Sequence, residues 1–270
     1  MLTQVVLQTS NPMAFNINAV DPDELVILKS ISGLLPGDVT LFTGEFARSG
    51  GYYQGRRAGK RNPVFNLKLN PDYVNDVEVS DVREMLYRQF YEPQADTDGV
   101  QVLLKDDRKP DRFFTCYAEA WQGDLFAKDT SVQISTLCVD AFLYSAEITS
   151  ATNPTGWLVV PLTYDGSADT GLKLELKVVA STPKLVVENN NQKMTLLRAF
   201  ATDDIIEIST VEGSRFIRQN GSDIMASLTA DSTWLSLRAP GNILRVYGEG
   251  PSDGKVLATK YEYRSAWWGV

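Results

Sequence analysis

The chain has 270 residues, 43% hydrophobic and 22% charged, with 26 Lys and Arg against 34 Asp and Glu, a formal net charge of −8, and no histidine. This is the composition of a packed globular protein, and its net negative charge has the wrong sign for gripping phosphate backbones. Without histidine, a CxxC pair, a GxxxxGK[ST] loop or a GxGxxG turn, the chain lacks the usual general base, metal ligands and phosphate cradles, so no enzyme, metal or cofactor is expected.

Strand signals dominate the first half. Val5 to Gln8, Glu24 to Ile31, Val64 to Leu69, Val100 to Leu104 and Phe113 to Trp121 are short runs bounded by Gly, Pro, Asn and Asp. Phe65, Leu67 and Leu69 alternate with Asn66 and Lys68, the pattern of an antiparallel sheet with one face on a core and one in water. Met1 is followed by a mixed segment with Gln4, Gln8, Ser10 and Asn11 that lacks the basic start and apolar stretch of a signal peptide. No apolar run approaches the ~18 residues of a membrane span. The expectation is a protein made in a cytoplasm, with no membrane partner.

Ser80 to Tyr91 breaks the strand pattern. Ser80 reads as an N-cap, Val82, Met85, Leu86, Gln89 and Phe90 follow helical spacing, and Pro93 ends the run, so one amphipathic helix is predicted on the sheet. A polar loop from Gln94 to Gly99 follows, then a strand, a turn at Asp106 to Asp111, and a long strand pair, Arg112 to Trp121 and Ser131 to Val139, linked by Gly123 to Thr130. Cys116 and Cys138 fall inside these apolar runs and read as buried thiols, with a disulfide open to them if the strands are neighbours. Ala141 to Ser145 reads as the closing strand of this half. The Ser-, Thr-, Asn- and Pro-rich stretch Glu147 to Gly156 marks the boundary between domains 1–147 and 148–270.

In the second half Leu172, Leu174 and Leu176 alternate with Lys173, Glu175 and Lys177. Lys184 to Glu188 and Lys193 to Leu197 flank Asn189 to Gln192, and Ile205 to Ser209 and Arg215 to Arg218 flank Thr210 to Ser214. Further strands are predicted at Trp234 to Leu237, Asn242 to Tyr247 and Val256 to Tyr263. Strands every 8 to 12 residues or so without a helix signal indicate a β-sandwich.

Taken in order, Ser80, Arg83, Leu86, Tyr91, Arg112, Phe113, Val132, Ile134, Cys138, Asp140 and Tyr144, then Pro240-Gly241-Asn242-Ile243-Leu244-Arg245-Val246 and the terminal Tyr263-Arg264-Ser265-Ala266-Trp267-Trp268-Gly269-Val270, resemble the distal tail protein family of siphophages. The terminal pattern is the most specific part. The resemblance implies a mainly β protein: a small N-terminal β-barrel or sheet domain with one helix, and a C-terminal galectin-like β-sandwich. It implies a non-enzymatic subunit of the virion tail tip, or baseplate, assembled in the host cytoplasm. Six copies would form a ring joining the tail tube protein to the tip hub protein, and DNA would pass through the ring without specific binding. An acidic lining would repel DNA and let it slide. The second domain lacks the large insertion that some relatives carry.

One segment suits subunit docking. Arg48 to Asn62 contains Arg48, Arg56, Arg57, Lys60 and Arg61 with no acid, together with Tyr52 and Tyr53. Arg and Tyr supply many interface hot spots, so this reads as a β-hairpin arm that docks on an acidic neighbour. A solvated loop is an equally open reading, and a nucleic-acid contact is disfavoured by the net charge. One of Trp267 and Trp268 reads as a cover of the sandwich core, and Trp234, Tyr263 and Trp267 are expected to matter for the fold rather than for a ligand. The alternative function, a carbohydrate-binding module contacting the host surface, would use Trp267 and Trp268 as an aromatic platform. Asp203 and Asp204, the nearest approach to an acid–base pair, read as a turn.

Overall fold

The computed structural model describes residues 2–8, 15–18, 25–35, 39–45, 51–72, 75–91, 99–123, 130–250 and 253–269. The protein is mainly β, as expected. The chain divides into two compact units, Met1–Ala146 with Trp268–Val270, and Glu147–Trp267. Trp268 and Gly269 therefore go with the first unit, whereas the expected boundary kept them in the second.

The first unit contains β1 (Leu2–Gln8), β2 (Phe15–Asn18), β3 (Val26–Ser32), β4 (Val39–Glu45), β5 (Gly51–Ala58), β6 (Val64–Leu69), α1 (Val79–Tyr91), β7 (Val100–Asp106), β8 (Lys109–Gln122), β9 (Ser131–Leu137) and β10 (Leu143–Ser145). One sheet runs β10-β8-β7-β1-β2-β3-β6-β9. The long β8 pairs β7 through its first half and β9 through its second, so the pairings return on themselves. At its weakest link β2 meets β3 through one parallel bridge, Asn18 to Ile27, so the sheet is curled rather than a regularly closed barrel.

The alternation read in β6 is real: Phe65, Leu67 and Leu69 are fully buried. Helix α1 lays Val82, Leu86, Gln89 and Phe90 onto this core, and Phe90 meets Phe65 edge to face at 5.8 Å. Met85, expected on the same face, stays exposed. The helix starts two residues earlier than a Ser80 cap predicts, and Ser80 lies inside it. Glu78 precedes the first helical residue, and its backbone N–H donates to the Asp81 carboxylate at 2.8 Å, the reciprocal half of a capping box. Pro93 and most of both predicted links, residues 94–98 and 124–129, lie outside the described residues.

The second unit is a two-sheet sandwich of β11 (Thr149–Trp157), β12 (Val159–Thr163), β13 (Leu172–Val178), β14 (Thr182–Asn189), β15 (Gln192–Phe200), β16 (Ile205–Ser209), β17 (Phe216–Gln219), β18 (Ser222–Asp223), β19 (Gly241–Tyr247) and β20 (Val256–Tyr263). One sheet runs β11-β20-β13-β16-β17-β18 and the other β12-β19-β14-β15. Leu172, Leu174 and Leu176 from the first sheet meet Leu185, Val187, Met194, Leu196, Leu244 and Val246 from the second in one buried core. The segment read as an interdomain loop is strand β11, paired antiparallel with β20 from Thr149 opposite Tyr263. Trp234 to Leu237 is not a strand. Leu235 and Leu237 share a buried face, and the segment is held by a Thr170–Leu237 bridge and by Ser236, whose N–H donates to the Gln192 side chain and whose carbonyl accepts from Asn189.

Asp253 closes the loop before β20. Its carboxylate accepts from the backbone N–H groups of Gly248, Glu249, Gly250 and Lys255. Burial alone would raise its pKa, but these four donors outweigh it and hold the carboxyl down at about 2. Because the folded value lies below the unfolded one, near 3.8, this contribution is complete above pH ~4 and is lost as the pH falls through about 2. Asp253→Ala leaves four donors without their acceptor and should lower the stability of the second unit by about 1–3 kcal/mol at neutral pH, read as a drop in the urea midpoint.

Candidate functional site

β4 and β5 form a two-stranded antiparallel sheet of their own. The register sets Val39 opposite Ala58, Thr40 opposite Arg57, Leu41 opposite Arg56 and Gly44 opposite Tyr52. The basic segment is thus one limb of a hairpin, and its other limb is apolar. Leu41 is 61% exposed and Phe42 47%, with Val39 and Tyr52 also exposed. A lone two-stranded hairpin is marginal in water, and this one carries four large apolar side chains exposed to solvent. Arg57 and Lys60 are exposed beside them, so the arm offers cations around an apolar centre, the composition of an interface core with a charged rim. Tyr53 and Arg56 are placed by the backbone register, and Arg48 lies outside the described residues.

Arg61 does not belong to this surface. It is only 2% exposed, and its guanidinium donates to the carbonyls of Ala141, Leu34 (3.1 Å) and Trp268. Its backbone also bridges Cys138. The planar fork replaces water with three carbonyls, while burial still pushes its pKa below the ordinary arginine value. A second arginine, Arg112, is 8% exposed and donates to Gly269 O at 3.0 Å. Together they hold the carbonyls of the last described residues, and Trp268 packs edge-on against Phe142 at 4.9 Å. No charge pattern in the sequence distinguishes Arg61 from Lys60 or Arg57. The one available signal is its position, three residues before the strictly alternating β6.

The residues considered for sugar binding or catalysis have structural occupations. Tyr263 is a core residue and Tyr261 packs on the same core. Trp234 is half-buried under the Arg215 guanidinium, 5.2 Å from the ring centroid. Trp267 is 7% exposed, a buried side chain. In the Pro240 to Val246 motif, Asn242 is buried; it accepts from Arg238 N and donates to Arg238 O, stapling the turn that contains the cis Ala239–Pro240 bond. Asp203 is ion-paired with Lys177 at 2.9 Å. For Asp204, burial would raise the pKa, but Ala201 N–H, the Asn220 amide and the Gln219 amide outweigh it and keep the carboxyl low, the opposite of what a general acid needs.

Residues 165–267 match the family model of a siphovirus-type tail component, C-terminal domain. Among solved structures the chain is similar to the crystal structure of SPP1 Dit, a paradigm of the hub adsorption apparatus in phages infecting Gram-positive bacteria. The identity is 15% and the TM-score 0.67, over 97% of this chain and 98% of that one. It is also similar to a chain of the phage P2 baseplate in its activated conformation with Ca, at 9% identity and TM-score 0.50 over 98% of both chains. No curated protein matches it in sequence. The resemblance to siphophage distal tail proteins is thus borne out on the sequence of residues 165–267 and on the fold of nearly the whole chain.

Proposed function

We propose that this protein is a structural subunit of a siphophage tail tip that closes into a ring, six copies in the reading its resemblance implies, between the tail tube and the tip hub. The observation that carries this is the match of residues 165–267 to a siphovirus tail component, supported by the likeness of nearly the whole chain to SPP1 Dit. The β4–β5 arm is the docking element. Tyr52, Arg57 and Lys60, with Arg48, Tyr53 and Arg56 of the same segment, contact a neighbouring copy or tail protein, and Leu41 and Phe42 supply the apolar centre. A neighbour with an acidic surface fits this arm, and the protein itself, at −8, has acids to offer. Closure follows from a head-to-tail contact whose rotation completes a circle, and the acidic ring lets DNA slide through unbound.

Negative-stain electron microscopy of the purified chain, alone and with tail tube protein, tests the reading. The expected result is a ring with a central hole. A particle that stays monomeric alone and on the tube would overturn it.

A further inference from the structure

We propose that Cys116 and Cys138 are a disulfide site, a cross-strand bridge that stays open in reducing surroundings and closes in oxidising ones. The inference does not depend on the tail-tip reading. It starts from register: in the β8–β9 ladder Ala118 faces Thr136 and Tyr117 faces Leu137, so the next step sets Cys116 opposite Cys138. The N–H and C=O of Cys138 both bond Arg61 on its other side, at 2.8 and 3.2 Å. Toward Cys116 it therefore occupies a non-hydrogen-bonded position, where facing Cα atoms stand ~4.5 Å apart and side chains approach most closely. That spacing lies within the roughly 4.4–6.8 Å range of disulfides.

Directly opposed residues send their side chains to the same face, and here it is the core: Cys116 and Cys138 are 0% and 1% exposed. Both thiols are free. No cluster of three or more His, Cys, Asp or Glu side chains suited to a metal occurs among the described residues, so the pair is not part of a metal-ligand group.

Closure removes two protons and two electrons. A small-molecule disulfide such as oxidised glutathione accepts the electrons: one cysteine thiolate attacks it, releasing one small thiol and leaving a mixed disulfide. The second cysteine thiolate then displaces the other small thiol and forms the Cys116–Cys138 bond. The contact with Cys116, followed by burial, pushes the Cys138 thiol well up, so the closed core resists this exchange and the bridge forms while the strands are still assembling or transiently open.

The full chain, unfolded in urea and refolded either in a reduced/oxidised glutathione buffer or in dithiothreitol, provides the test. The glutathione product should be two hydrogens lighter, yield a linked Cys116–Cys138 peptide, and melt roughly 5–10 °C higher in its first transition. Dithiothreitol should reverse all three changes, and Cys116→Ser should show none of them. Two alkylatable cysteines in the glutathione product, a bridged product melting below the reduced one, or the same melting shift in Cys116→Ser would each overturn the proposal.

Discussion

Arg61→Ala lowers the melting temperature of the first unit by roughly 6–12 °C. The side chain is 2% exposed and satisfies the carbonyls of Ala141, Leu34 and Trp268. A buried polar group that loses its partner costs about 1–3 kcal/mol, so three of them, even after partial relaxation, cost at least about 3 kcal/mol. At about 2–4 °C per kcal/mol for a unit of this size, that gives the expected shift. Arg61→Lys should fall between the two, because an ammonium keeps the charge but cannot address three carbonyls with a planar fork. Arg57→Ala, on the exposed arm, should melt like the parent. Calorimetry of the three variants checks this, and an Arg61→Ala protein melting within a degree or two of the parent would show that the three carbonyl contacts contribute nothing.

The second large effect concerns assembly rather than folding. A chain carrying Leu41→Ser, Phe42→Ser, Arg57→Ser and Lys60→Ser should melt almost unchanged as a subunit, because all four side chains are exposed. Its association should weaken at least about tenfold for each hot spot removed, since truncating an apolar or Arg anchor at an interface costs about 2 kcal/mol or more. Arg61 is left intact so that a folding defect cannot pass for an assembly defect. Analytical ultracentrifugation across a concentration series separates the two, and self-association equal to the parent's would remove the arm from the interface.

Those two arginines, four residues apart, show where the sequence stops being informative. The basic run was legible as a unit, and a hairpin arm was among its readings. Burial is a property of the folded neighbourhood, and Arg61 is solvated by carbonyls from residues as distant as Trp268, which no local pattern encodes. Strong periodicity transferred well, in Val82, Leu86 and Phe90 on the helix and in Leu172, Leu174 and Leu176 on β13. It reports which face is buried, not whether a ladder forms, which is why Trp234 to Leu237 buried its leucines without becoming a strand. β11 was hidden by its Ser, Thr, Asn and Pro content. It lies at the edge of its sheet, where one side needs no partner. β12 was missed for a related reason: Pro161 argues against a central strand, but this one is also at an edge, where a missing N–H costs little.

The second unit begins at Glu147 and ends at Trp267, and its first and last long strands are paired, Thr149 opposite Tyr263. The chain therefore leaves the first unit and comes back to it from neighbouring points, as an insertion does rather than a tail. In genetic terms the sandwich is a cassette. Codons for another domain whose two ends also lie side by side can replace it in frame, while Arg61 and Arg112 continue to hold the residues downstream. Lineages that recombine often can thus exchange the sandwich without rebuilding the unit that carries the arm.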